Sequence, residues 1–372
     1  MTWHTLGIGL AVGLFLFDFQ NVLAWWRGRT LAAHTRPNFD YTIVVPLYGH
    51  PRYFADRDHL RAYQANVLVA MDVSNSRMRL FADELESEGW RICRTISEQP
   101  SAPLLIAEAL PHVTTSYVLR MDADTRPLDD LPRFVSAMAH DGADLCSTKV
   151  VVAQATTEAQ RFQALEYRMA MLSRRFRPWL TSGACFAAKT SALRAIMATH
   201  SMWFPGEDIE TGRIGFALKM RVRHLDMTVE TDAPETWRAL FKQRRLWWAG
   251  SFRHSIINLD RNAVQLPGWS LYYVGLVWAG VYFKWHSIID YLQPFVLVQM
   301  LAWLFVVYAF VTVIGNWQVR SWRMLVFPPY ALVQAILMPT VGSMYYCLLA
   351  CRLRYFGRYR FGYRRLCVTS SV

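Results

Sequence analysis

Short apolar runs rich in β-branched residues recur along the first third of the chain: YTIVVPL (Tyr41–Leu47), NVLVAMDV (Asn66–Val73), WRICRTI (Trp90–Ile96) and SYVLRM (Ser116–Met121). Each is bounded by polar or turn-forming residues and is too short for a helix, so each predicts a strand. Helix-like segments such as Arg77–Glu88 lie between some of them. This alternation predicts an α/β domain on a largely parallel sheet covered on both faces. Ligands of such sheets bind at the carboxyl ends of the strands, where Asp72, Asp122 and Asp124 fall.

Longer apolar stretches flank this region. Thr5–Trp26 is about long enough to span a bilayer, is interrupted by Asp18, and is followed by Arg27, Arg29 and Arg36 with no basic residue before it. That asymmetry predicts an uncleaved anchor with its N-terminus outside, in preference to a secretory signal peptide. Ile288–Gly315 and Met324–Ala350 are also long enough to span, whereas Trp269–Trp285 reads as an aromatic-rich helix in the interface. The tail after Ala350 carries six Arg and no acid, which places it in the cytosol against anionic lipid headgroups. The expected organisation is an anchor over 1–35, a soluble α/β domain over 36–265, and an interface helix, two transmembrane helices and a basic cytosolic tail over 266–372. Such a chain is expected to be a multi-pass protein of the plasma membrane with its α/β domain in the cytosol.

Composition is consistent with this layout: 53% of the 372 residues are hydrophobic, Trp occurs 15 times, and the formal net charge is +12. A basic balance suits a membrane surface or an anionic substrate. Nucleic acid is not expected as a partner, because no nucleic-acid-binding motif accompanies the charge. The cysteines, Cys93, Cys146, Cys185, Cys347, Cys351 and Cys367, form no CxxC pair and no zinc-ligand cluster. They read as reduced thiols.

The candidate chemistry lies in three stretches. In VLRMDADTRP (Val118–Pro127), Asp122 and Asp124 stand one residue apart at a strand end, and residues i and i+2 of a strand share a face. Carboxylates that close repel, so they are either solvated acids or ligands of a metal ion. FPGEDIETG (Phe204–Gly212) places Glu207 and Asp208 after a Pro-Gly turn. They are either acids in a first helical turn, favoured by the dipole, or the site of a general base for an acceptor hydroxyl. FKQRRLWWAGSFRH (Phe241–His254) groups Gln243, Arg244, Arg245, Trp247 and Trp248. It reads as a basic amphipathic helix at a membrane, or as Arg for a diphosphate with a Trp face for a sugar ring or base.

Taken in order, Asp72, the DxD pair, Glu207-Asp208 and Gln243-x-x-x-Trp247 between apolar segments resemble the membrane-integrated family 2 glycosyltransferases. These include the cellulose, chitin and hyaluronan synthases, with their D, DxD, (T/E)D, Q(Q/R)xRW signature. The resemblance covers residues 40–265. VVPLY (Val44–Tyr48) is similar to the family's first strand end, TSGACFAAKTSAL (Thr181–Leu193) to its acceptor-side loop, and TDAPET (Thr231–Thr236) to the segment before the Gln-Arg motif. The resemblance implies a GT-A-type cytosolic nucleotide-sugar domain flanked by transmembrane α-helices. It implies an inverting, metal-dependent enzyme that moves a sugar from a nucleotide-sugar donor, a UDP-sugar, to a growing glycan acceptor at the lipid bilayer.

Residue by residue, the resemblance places Tyr48 at the substrate and Asp72 near the nucleotide base. Asp122 and Asp124 would bind Mg2+ or Mn2+ bridged to the diphosphate. Asp208 would be the general base with Glu207 beside it, and Cys185 part of the acceptor-site wall. Gln243, Arg244 and Trp247 would hold the diphosphate and stack on the acceptor sugar. Single-sugar transfer to polyprenyl phosphate or another lipid stays open, as does a catalytically impaired sugar-binding membrane protein. A homo-oligomer, or partner subunits for secretion, also stays open.

The chain departs from the signature twice. Leu246 stands where the family has the Arg before its Trp, and Leu cannot bind a phosphate. On a helix Arg245 points about 100° away from that position. The stretch SEQPSAPLLIAEAL (Ser97–Leu110) contains no base where the family has a basic, Gly-rich segment. Both changes thin the positive charge expected around a diphosphate.

Overall fold

The computed structural model describes residues 36–98, 100–202, 206–257 and 321–352, with single positions between 298 and 319. Strands β1 (Tyr41–Leu47), β2 (Val67–Asp72), β3 (Arg91–Thr95), β4 (Tyr117–Met121), β5 (Arg126–Pro127), β6 (Leu145–Val152), β7 (Cys185–Lys189) and β8 (Val222–Thr231) form one sheet. Their order is β3-β2-β1-β4-β7-β6-β8-β5. The helices are α1 (Ser76–Ser87), α2 (Ala102–Ala109), α3 (Leu131–Asp141), α4 (Glu158–Arg174), α5 (Thr190–Met197), α6 (Glu207–Ala217), α7 (Trp237–Ile257) and α8 (Arg323–Arg352).

The strands expected between residues 41 and 121 form within one residue of their apolar runs. Every residue of β1 and β2 is buried, as continuous apolar runs require when both faces of a sheet are covered. Helix α1 starts where the Asn75 side chain accepts from the Met78 N–H at 2.9 Å, a cap worth about 1 kcal/mol. It buries Met78, Phe81, Ala82 and Leu85, a stripe at helical spacing.

The sheet is mixed, which corrects the expectation of a largely parallel one. β1, β2, β3 and β4 pair in parallel, but β7 runs antiparallel between β4 and β6, and β5 runs antiparallel to β8. β6 and β8 pair in parallel. The reversal at β7 has a consequence for chemistry: the start of β7 meets the end of β4, with Cys185 opposite Met121. The carboxyl ends of β2, β4 and β8 and the loop entering β7 therefore share one edge of the sheet.

Two compact units divide the described residues: 36–154 with 174–232 forms the sheet unit, and 155–173 with 233–257 and 321–352 forms a helical unit. In the sheet unit Val44, Leu68, Phe186, Leu193 and Ile214 belong to one buried cluster. In the helical unit Ala159, Phe162 and Leu165 of α4, Leu240 of α7, and Phe327 and Tyr330 of α8 make another. Gly342 is required there, because a Cβ would collide with the Trp248 backbone.

Met324–Ala350, expected to span a bilayer, lies inside α8, a helix that contains Pro328, Pro329 and Pro339. Among the described residues no helix is long and apolar enough to cross a membrane. Thr5–Trp26 and Trp269–Trp285 lie outside the described residues, as do the tail beyond residue 352 and all but single positions of Ile288–Gly315.

Candidate active site

At the end of β4 the side chain of Arg120 is nearly inaccessible, and its Nη2 donates to Asp122 Oδ1 at 2.8 Å. A buried guanidinium is tolerated only with partners, and Glu207, Asp208 and Tyr48 also interact with it electrostatically. Sequence reasoning missed Arg120. Its one signal was a charge inside an apolar run, at the position whose side chain shares a face with Asp122.

The acids of the pair differ. Burial pushes Asp122 up to about 7, against the pull of Arg120 and with further push from Asp124 and Asp208. Asp124 is exposed and accepts a hydrogen bond from Thr231 Oγ1 at 3.4 Å. Arg126 braces the same loop, bonding to Asp56 at 2.8 Å and Asp232 at 3.3 Å.

Helix α6 carries the second acid pair. Gly206, at φ +93°, turns the chain into the helix in a conformation that a side chain would strain. Asp208 Oδ2 accepts from the Gly183 N–H at 2.8 Å and Oδ1 from the Ile209 N–H at 2.8 Å. Thr181 Oγ1 donates to the Asp208 carbonyl. Ala184, next to Gly183, accepts from the Asp122 N–H at 3.0 Å. Two consecutive residues of the loop before β7 thus tether the DxD strand end and the acid helix. A Cβ at Gly183 would lie 2.9 Å from Arg120 Nη1, so this loop also packs against the guanidinium. Glu207 is raised by burial first and then by Asp208, with Arg120 opposing.

Tyr48 joins this group, since Glu207, Asp122 and Arg120 all act on its hydroxyl, which burial raises. Cys185 is buried at the start of β7, its thiol pushed up to about 12 by burial. Asp72 is buried, with Oδ2 accepting from Ser74 Oγ at 2.6 Å and Oδ1 from the Ser97 N–H at 3.2 Å. A further buried row, Ser147–His224–Asp226, joins at 2.9 and 3.3 Å. Ser147 is wholly inaccessible, so this row braces β6 against β8.

Gln243, Arg244 and Trp247 lie on α7 in the helical unit. Arg244 is buried, its Nη1 donating to Gln243 Oε1 at 2.9 Å and its Nη2 to Glu166 Oε2 at 2.7 Å. Its guanidinium lies over the ring of Trp247 at 4.1 Å. Trp247 is exposed. Arg245 lies over the ring of Tyr345 at 4.0 Å.

No group of three or more His, Cys, Asp or Glu side chains among the described residues is arranged to hold a metal ion. Asp122 and Asp124 offer a pair of hard oxygen donors, the kind Mg2+ takes when substrate phosphates complete its shell.

The profile of a family described as glycosyl transferase family group 2 matches residues 117–316, more than half of the chain. None of the curated proteins matches it. Among solved structures, the mannosyltransferase PcManGT from Pyrobaculum calidifontis, in complex with GDP-Man and Mn2+, aligns at 15% identity and TM-score 0.48, over 92% of this chain and 97% of its own. Glucosyl-3-phosphoglycerate synthase from Mycobacterium tuberculosis, in complex with Mn2+, UDP and phosphoglyceric acid, aligns at 14% identity and TM-score 0.37, over 59% of this chain and 78% of its own.

Proposed function

The chain belongs to glycosyl transferase family group 2 and is a glycosyltransferase; from that premise we propose that its sheet unit is a GT-A-type domain. It moves a sugar from a nucleotide-diphosphate donor, a UDP-sugar, to a growing polysaccharide at a membrane, with inversion. The observation that carries this reading is the Gly183-Ala184 tether, which links the Asp122 strand end to the Asp208 carboxylate. A transferase needs one acid on the donor side and another on the acceptor side, held as one assembly.

Asp208 takes the acceptor hydroxyl proton. The acceptor oxygen then forms its bond to the anomeric carbon as the bond to the diphosphate oxygen breaks, and that oxygen keeps the electron pair. The bonds from the Gly183 and Ile209 N–H groups orient the carboxylate for this step. Asp122 and Asp124 would hold Mg2+ or Mn2+, which when bound supplies positive charge to the leaving diphosphate. Glu207 and Tyr48 stand with Arg120 and Asp122 in one electrostatic group, Asp72 anchors the nucleotide end, and Cys185 backs the acceptor side. Trp247, supported by Gln243 and Arg244, offers a ring on which an acceptor sugar stacks. The apolar stretches Thr5–Trp26 and Ile288–Gly315, with the six-Arg tail, support a multi-pass plasma-membrane protein whose catalytic unit faces the cytosol.

The test is purified full-length protein in detergent, screened against UDP- and GDP-sugars with Mn2+ and with released nucleotide as readout. Release from at least one donor is expected, and a polymeric product distinguishes polysaccharide synthesis from single transfer to polyprenyl phosphate. No release from any donor overturns the reading.

A further inference from the structure

Resting on the reading above, we infer that Arg244 is a positioning residue for Trp247, anchored by Glu166, and not a ligand of the donor diphosphate. The guanidinium has little left to offer a ligand. Both Nη atoms donate within the protein, to Gln243 Oε1 at 2.9 Å and to Glu166 Oε2 at 2.7 Å. Its Nε is buried without a hydrogen-bond partner, out of reach of any solute. The whole residue is 1% exposed. Turning it outward would break its ion pair with Glu166 and vacate a site in which the guanidinium side chain is only 2% exposed.

Glu166 and Gln243 each take a second donor. Tyr330 Oη of α8 donates to the same Oε2 at 2.8 Å, and Gln163, one turn earlier on α4, donates to Gln243 Oε1 at 3.4 Å. The polar group therefore joins α4, α7 and α8 at one point. Above it lies the indole of Trp247, with the guanidinium 4.1 Å from the ring centroid and the Tyr167 ring stacked at 6.1 Å and 22°. A buried cation against an indole face holds the ring by its quadrupole. Trp247 nonetheless keeps 41% of its surface open. An exposed aromatic with a stiff, buried support is already ordered before a sugar arrives, so less freedom is lost on stacking.

The experiment uses the full chain in detergent, labelled with 5-fluorotryptophan, with Trp247→Phe assigning the Trp247 fluorine resonance. The paired variant Glu166→Gln/Arg244→Met removes both charges together, so neither is left buried alone. Glu166→Gln by itself, which keeps an acceptor for Tyr330, provides a milder version should the pair fold poorly. We expect the Trp247 resonance to shift in both, and the acceptor KM to rise about fivefold or more in parallel with Trp247→Phe. Calorimetric affinity for UDP and GDP with Mn2+ should stay within about twofold, since losing a charged phosphate contact costs about tenfold or more. An unmoved Trp247 resonance, or a tenfold loss of UDP or GDP affinity, overturns the inference. If the wild type releases nucleotide from no donor, the proposed function fails while the fluorine resonance still decides this point.

Discussion

Arg120 donates to Asp122 across 2.8 Å, and the two side chains differ in exposure, 4% against 38%. The charge that water cannot reach is the cation. We therefore predict that Asp122→Asn destabilises the fold by about 1–3 kcal/mol, below the range for a wholly buried pair because Glu207 and Asp208 also act on Arg120. Asp124 is exposed, so Asp124→Asn should melt within a degree or two of the wild type, about the scale of surface substitutions. Thermal melts of both variants in chelator check this; equal melting temperatures would show that Arg120 does not depend on Asp122.

Gly183→Ala should leave stability nearly unchanged while lowering transfer. The added Cβ would lie 2.9 Å from Arg120 Nη1, the far end of a flexible side chain that can give way. The Gly183 N–H to Asp208 would survive, so the predicted loss comes through Arg120 and Asp122. The double variant Gly183→Ala/Arg120→Met should then transfer no more slowly than Arg120→Met alone. Additive losses would refute the coupling.

Asp208 and Asp124 should separate by readout. Asp208→Asn removes a proton acceptor and should lower transfer on the order of 10²–10⁴-fold while leaving nucleoside-diphosphate affinity almost unchanged. Asp124→Asn should weaken nucleotide binding and transfer together, and excess chelator on the wild type should do the same. Calorimetry beside a transfer assay decides, and equal losses of nucleotide affinity in the two variants would move Asp208 to the donor side.

The pH dependence of stability follows from Glu207. Burial and then the charge of Asp208 lift its carboxyl to about 8. The folded state therefore holds more protons than the unfolded chain between the ordinary carboxylate range and about pH 8, and stability falls as pH rises through that window. Melting temperature in chelator should decline from about pH 4.5 to about pH 8, and Glu207→Gln should flatten the slope. A melting temperature that climbs with pH over this window would contradict the burial of Glu207.

The local sequence determined β1 to β4 within a residue, because β-branched apolar runs buried on both faces leave few alternatives. It also located the acids, since strand ends and helix starts are where charged groups find solvent or a dipole. β7 was not foreseen: CFAAK is short and Ala-rich, with no β-branched residue to mark a strand. Its antiparallel insertion between β4 and β6 sets Gly183 over Arg120 and Ala184 against Asp122, and that juxtaposition has no trace in local pattern. Arg244 shows the same limit. Its residue type suits a phosphate, but Glu166, 78 residues earlier in the chain, claims its guanidinium. Which residues are present follows from the chain itself. Which charges face each other is decided by packing between distant segments, because a buried charge must be matched wherever the fold places it.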